Sequence, residues 1–297
     1  MVLIWLLTYF FLFLWLNKGL MEDNLMYASD KYGQVYPQYI HNKYESLVLS
    51  GGALKGTYLL GFLQSLPRTI TFNKYFGTSS GAIICFLHSL DFKPYFIFKS
   101  LLKYNLLPIH IHNGGIFNHN IIFKIVKNLL WFKYRLKNVT FKEHFSLTNK
   151  LLVVTTYNVT DCKGVQLSIH STPDLSIIKA LRMTSSIPIL FKPEYHNNKL
   201  YTDGMVYDNF PIKTAIEHTT KDGTVLCLTT INSKYAHDKV HFYHNKRLTI
   251  AMVNDSDDFV PYILSTTEAK IFMFSKGSAE AERLFKTKCG KRRRNSI

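Results

Sequence analysis

The sequence predicts an α/β fold, three α/β/α layers around a largely parallel central sheet, and three observations predict it. From Tyr44 onward, short apolar runs of strand length alternate with segments of helical period. Two glycine-rich turns, SGGALKG at 50–56 and FGTSSG at 76–81, each stand between a strand-like run and an apolar helical run. The chain also has enough bulk for such a fold: 297 residues, 47% hydrophobic and 14% aromatic, which excludes a disordered protein.

The expected strands, in order, are 46–50 (SLVLS), 70–76, 151–157 (LLVVTTY), 165–170, 198–202, 224–230 (TVLCLTT) and 270–274 (KIFMF). The expected helices are 56–66, 80–90, 93–104, 119–134, 174–183, 211–218, 246–253 and 278–287. No internal repeat is present. The organisation predicted is an apolar N-terminal segment at 1–19, a polar linker at 20–43, one folded domain at 44–285 and a basic tail at 286–297.

The N-terminal run VLIWLLTYFFLFLWL carries no charge, and as a helix its 15 residues would span about 23 Å, somewhat short of a bilayer core. It reads as a cleaved signal, a membrane anchor or a buried helix. Without a positive start or a small-residue cut site, an uncleaved anchor or interfacial segment is the favoured reading, with the rest of the chain cytosolic. Four singly spaced cysteines, Cys85, Cys162, Cys227 and Cys289, form no C-x-x-C pair and agree with a reducing compartment. Sequons at Asn138, Asn158 and Asn254 matter only if the body is lumenal.

The formal net charge is +16, and the tail KTKCGKRRRNSI is its densest source. Such a tail suits an anionic membrane surface or nucleic acid, or is a solvated end. The cluster YAHDKVHFYH at 235–244 has mixed histidine spacing that argues against a metal site.

The first glycine turn, with Gly51, Gly52, Ala53, Lys55 and Gly56, puts backbone amides at the positive end of a helix, a geometry that holds an anion. The anion is a phosphate or the oxyanion of acyl transfer. No dinucleotide or Walker pattern is met, so the oxyanion fits better. The second turn brackets Ser79 with Gly77 and Gly81 in the strand–turn–helix context of a nucleophile elbow, although a plain helix-capping turn has the same letters. A third stretch, KLYTDGMVYDNFP at 199–211, ends a strand on Asp203 and Gly204; an isolated Asp-Gly is usually a β-turn.

In order, GGALKG, GTSSG and DGM resemble the patatin-like phospholipases, and so do the flanking ALRMTSSIPILFKP at 180–193 and YDNFP at 207–211. The resemblance covers about 44–235. It implies a lipid acyl hydrolase with a Ser79–Asp203 dyad, an oxyanion hole of Gly51, Gly52 and Ala53, and no metal or cofactor. The implied substrate is a membrane phospholipid or other acyl lipid, with lysophospholipids included, and nucleic acid is not an expected partner. Lys55 either positions a headgroup, braces the loop or is simply exposed. Two positions depart from the family pattern. Ala53 replaces a glycine, which a negative φ would tolerate, and Met205 replaces a small residue after Asp-Gly. The alternatives are a Ser-His-Asp esterase using His218, His237, His241 or His244, and a non-catalytic membrane adaptor.

Overall fold

The structure, a computed structural model, describes residues 43–103, 109–112, 115–117, 120–230, 242–244, 247–253 and 266–286. The N-terminal run, most of the linker, nearly all of the basic tail and most of the histidine cluster therefore lie outside the described residues.

In chain order the strands are β1 (Ser46–Leu49), β2 (Lys74–Thr78), β3 (Ile109–His112), β4 (Gly115–Phe117), β5 (Leu151–Asn158), β6 (Lys163–Leu167), β7 (Glu194–His196), β8 (Lys199–Asp203), β9 (Val225–Thr229), β10 (Phe242–His244) and β11 (Leu248–Met252). The helices are α1 (Gly56–Gln64), α2 (Ser80–Ser89), α3 (Pro94–Leu102), α4 (Asn120–Tyr134), α5 (Phe141–Thr148), α6 (Ile177–Thr184), α7 (Ile212–His218) and α8 (Thr267–Lys286). The main sheet runs β10-β11-β9-β1-β2-β5-β8-β7, with β6 also on β5. Its centre, β11-β9-β1-β2-β5, is parallel, as the alternation of strand and helix predicts.

Both faces of this centre are covered, and the strand residues divide between them by the two-residue period of the pleat. Leu47, Leu49, Leu152, Val154, Leu226 and Leu228 join the core beneath α1 and α2. Their neighbours Val48, Leu151, Val153, Val225 and Cys227 pack on the opposite face against Phe210, Ile212 and Ala215. That double burial is why these strands read as unbroken apolar runs.

The strand edges hold the key placement. Thr155 of β5 pairs with Thr78 at the end of β2, and the next residue, Thr156, pairs with Asp203 at the end of β8. Since β6 occupies the other edge of β5 from Val154 to Asn158, β2 and β8 share one edge and meet there. The carboxyl end of β8 is thus set beside the carboxyl end of β2.

Two expected elements change type. The window 270–274 lies inside α8, where Lys270, Met273, Gly277 and Ala281 face inward at helical spacing while Ile271 and Phe272 are exposed. Five residues are too few to show that period. The window 246–253 contains β11 instead, a parallel neighbour of β9 whose Leu248 and Ile250 are buried. Helix α5 is not among the expected elements, although Thr140 and Glu143 form a full capping box ahead of it. The second strand, expected at 70–76, begins four residues later.

The localisation expected from the sequence is corrected. Among the described residues no helix is long and apolar enough to cross a membrane, and the N-terminal run on which the expectation rested lies outside them. Asn158 is also removed as a modification site, being 2% exposed and bonded through its amide to Asp161. Cys85 and Cys227 are buried, which raises both thiols far above their ordinary range, whereas Cys162 is exposed.

Candidate active site

The turn between β2 and α2 is a tight elbow. Ser79 sits at its apex with φ 53° and ψ −126°, a region an L-residue occupies only when its surroundings enforce it. Two contacts enforce it here. The Ser79 amide donates to Thr184 Oγ1 at 2.9 Å, and Thr184 in turn donates to the Thr155 carbonyl of β5. At Gly81 the helix crosses the end of β1 so closely that a Cβ would lie 2.4 Å from the Leu49 carbonyl oxygen and 2.5 Å from that of Ser50. Only glycine permits that approach.

Ser79 Oγ donates to Asp203 Oδ2 at 2.7 Å. The other carboxylate oxygen, Oδ1, accepts the Met205 amide at 2.9 Å, so both oxygens are held in fixed directions. Met205 therefore contacts Asp203 through its backbone N–H, which any residue but proline supplies. Asp203 is fully buried, and burial pushes its carboxyl up to about 7 against the two hydrogen bonds that favour the anion. Gly204 turns the chain against β5, where a Cβ would come within 2.2 Å of the Thr155 carbonyl oxygen.

The first glycine turn packs directly on this pair, since a Cβ on Gly51 would lie 3.1 Å from Ser79 Cβ and 2.2 Å from Asn209 Oδ1. The Gly51 amide donates to the Asn209 carbonyl at 3.1 Å, so that donor is used inside the fold. The amides of Gly52 and Ala53 have no backbone acceptor among the described residues. Ala53 adopts φ 49°, the left-handed region, and not the negative value under which an alanine would be unstrained. Lys55 is 8% exposed, which overturns the reading of it as an exposed lysine, and its amide closes the turn on the Gly52 carbonyl at 2.9 Å.

An apolar pocket, open to solvent at its mouth, starts at Ser79 and Ser80. The first turn contributes Ala53 and Leu54, the segment after α6 contributes Ile187 and Phe191, and α3 and α4 close the far side with Ile97 and Ile125. Such a lining, apolar but for Thr57, Ser79, Ser80 and Ser185, admits a hydrocarbon chain.

Five expected positions, Gly52, Ala53, Ser79, Gly204 and Asp203, converge here with Gly51, Gly77 and Gly81 as their framework. Thr184 and Asn209 are not among the expected site residues, although both lie in the segments 180–193 and 207–211; a threonine ending a helix in a run of small residues is the available signal. Among the alternative histidines, the His218 ring packs on Phe76 in the middle of β2 at 5.8 Å between ring centroids, with its Nδ1 2.9 Å from the Thr214 carbonyl oxygen, and makes no hydrogen bond to Ser79 or Asp203. His237 and His241, and the side chain of His244, lie outside the described residues.

A family model described as patatin-like phospholipase matches residues 47–216. A protein of Invertebrate iridescent virus 6 named "Probable lipid hydrolase 463L" is 39% identical over 292 residues, 93% of this chain and 100% of that one. "Triacylglycerol lipase 5" of Saccharomyces cerevisiae is 25% identical over 230 residues, 63% of this chain and 30% of the lipase. Among solved structures, that of VipD from Legionella pneumophila superposes with a TM-score of 0.50 at 16% identity, over 82% of this chain and 67% of VipD, a likeness of fold.

Proposed function

Because the chain belongs to the patatin-like phospholipase family, we propose that it is a lipid acyl hydrolase of the phospholipase A or lysophospholipase type, working through a Ser79–Asp203 dyad. The observation that carries the reading is the 2.7 Å hydrogen bond from Ser79 Oγ to a buried carboxylate at the mouth of an apolar pocket.

In this mechanism Ser79 Oγ attacks the ester carbonyl carbon while its proton passes to Asp203 Oδ2. The oxyanion is received by the amides of Gly52 and Ala53, each such donor contributing about 3 kcal/mol in serine hydrolases. Collapse of the tetrahedral intermediate breaks the C–O bond, and Asp203 returns the proton to the departing alcohol. Water then attacks the acyl-enzyme with Asp203 again taking the proton, the acyl C–Oγ bond breaks, and Asp203 returns that proton to Ser79 Oγ as the fatty acid leaves. A carboxyl raised to about 7 is a far better base than an ordinary aspartate, which suits it to this role without histidine. Lys55 braces the oxyanion turn. The nucleophile, base and oxyanion donors all come from the chain, so no metal enters the scheme. The domain that carries this chemistry is assigned to 44–285.

The test is fatty acid release from mixed phospholipid vesicles, in EDTA, by the unmodified chain and by Ser79→Ala and Asp203→Ala. Loss in both variants with indifference to EDTA supports the dyad. A required histidine would instead favour a Ser-His-Asp esterase, and an unmodified chain that binds lipid without releasing product would favour an adaptor.

A further inference from the structure

Helices α3 and α4 show two different chemistries on their two sides. Inward, Ile97, Leu101, Ile122 and Ile125 wall the pocket that begins at Ser79. Outward, the same helices expose large aromatic rings: Tyr95 is 54% exposed, Phe96 38%, Trp131 48% and Phe132 67%. Soluble surfaces scatter such residues singly. Here two of them meet across the helices, Phe96 and Phe132 lying 5.7 Å apart between ring centroids.

The charged side chains that α3 and α4 themselves carry are all basic, and Asp91 just ahead of α3 is paired with Lys150. Between Phe92 and Val139 the sequence has eight lysines and arginines and no aspartate or glutamate. Lys124, Lys127, Trp131 and Arg135 fall at i, i+3, i+7 and i+11, so they form one outward stripe along α4 and its end. The Arg135 guanidinium lies over the Trp131 ring at 5.8 Å. On α3, Lys99 is exposed beside Tyr95 and Phe96.

We propose that the outer face of α3 and α4 is a docking surface for an anionic phospholipid bilayer. Aromatic rings with one polar end prefer the headgroup level, and lysines around them gain from anionic lipid. Docked this way, the bilayer lies one helix thickness from the pocket, and an acyl chain leaving it reaches Ser79 along the inner side of the same helices. Charge complementarity and continuity with the pocket select lipid over a protein partner. The proposal deepens the reading of the chain as an acyl hydrolase and rests on it for the direction of transfer, though not for the binding itself.

The test uses the full chain with vesicles of phosphatidylcholine alone and with about one third phosphatidylserine. Trp131→Ala with Phe132→Ala is expected to weaken binding to the anionic vesicles roughly 10-fold or more. Lys99→Glu with Lys124→Glu and Lys127→Glu is expected to weaken it roughly 100-fold or more, at about fivefold for each basic residue taken from an anionic surface. Both variants keep the melting temperature, and Ser79→Ala binds as the unmodified chain does. In a Trp5→Phe, Trp15→Phe background Trp131 is the sole tryptophan, and its emission shifts to the blue and is quenched by brominated acyl chains on the anionic vesicles. Unchanged binding in both surface variants, or a Trp131 emission indifferent to vesicles, overturns the proposal; the former outcome would move binding to the 2–16 run or the tail. So would a dimer of the unmodified chain that Trp131→Ala with Phe132→Ala converts to monomer. Loss of all hydrolysis with docking intact would instead remove the functional reading and leave the surface standing.

Discussion

The Ser79 backbone N–H donates to the Thr184 hydroxyl at 2.9 Å, and this bond joins the strained elbow to the end of α6. It gives a left-handed serine, otherwise costly, a fixed partner. Thr184 acts through Ser79 and touches no substrate, so it is a positioning residue. Thr184→Ala leaves the buried amide without its acceptor, at about 1–3 kcal/mol. The expected outcome is a fall in kcat of about 10- to 100-fold with KM little changed, since each 1.4 kcal/mol is tenfold in rate. Thr184→Ser restores the hydroxyl and recovers most of the rate, and steady-state kinetics on a soluble ester separate the two.

In the proposed mechanism Asp203 must be ionised to accept the Ser79 proton, and burial raises its carboxyl to about 7. Activity is therefore expected to rise tenfold per pH unit below that value and to level off above it, measured as kcat/KM from pH 5 to 9. The stability effect has the opposite direction. A carboxyl raised above its unfolded value keeps its proton longer when folded, so stability is greatest below about pH 4 and is lost as pH rises through 7. Asp203→Asn should therefore abolish activity yet stabilise the fold at pH 8, by on the order of 4 kcal/mol at most. Thermal melts at pH 5 and pH 8 check the sign.

His144 has the reverse linkage. It is 1% exposed, and burial foremost, with Lys150 nearby, lowers it to about 4. Ser89 gives its hydroxyl proton to the Phe86 carbonyl, so the imidazole Nε2 donates to Ser89 Oγ at 2.7 Å and this pair is no second nucleophile. A base depressed by folding contributes stability above pH 6.5 that is lost as pH falls toward 4. Replacing it by asparagine flattens the acid limb of the stability profile between those values, while hydrolysis at pH 8 persists.

Ala53 stands at φ 49°, where a side chain costs about 1 kcal/mol and glycine costs nothing. Ala53→Gly is expected to hold or raise kcat and to raise the melting temperature by a few degrees. A large loss of activity would show that the methyl group, which lines the pocket, contributes to substrate contact.

Ile125 projects from α4 into the pocket and is 3% exposed. Ile125→Phe shortens the space for a chain, so hydrolysis of long-chain esters is expected to fall at least about tenfold relative to butyrate esters, the discrimination that one or two methylenes command.

The sheet and the turns that carry Ser79 and Asp203 were legible because their signals are local: apolar runs for β1, β5 and β9, and glycines whose turns admit no Cβ at Gly81 and Gly204. The reasons Ser79 meets Asp203 were not local. They lie in the register that sets Thr155 against Thr78 and Thr156 against Asp203, which no single stretch encodes. The same holds for Thr184, whose role appears only when α6 packs against β5. Window length explains the exchanged elements: five residues of α8 cannot display a helical period, and a buried parallel strand such as β11 looks like a short apolar helix.

The most direct measurement is labelling by an alkyl fluorophosphonate, which forms a covalent bond to an activated serine as fluoride leaves. One adduct by intact mass is expected, mapped to Ser79, absent in Ser79→Ala and slowed at least about 100-fold in Asp203→Asn, the scale of a lost general base. An adduct on another residue, or labelling at an unchanged rate in Asp203→Asn, would contradict the Ser79–Asp203 mechanism.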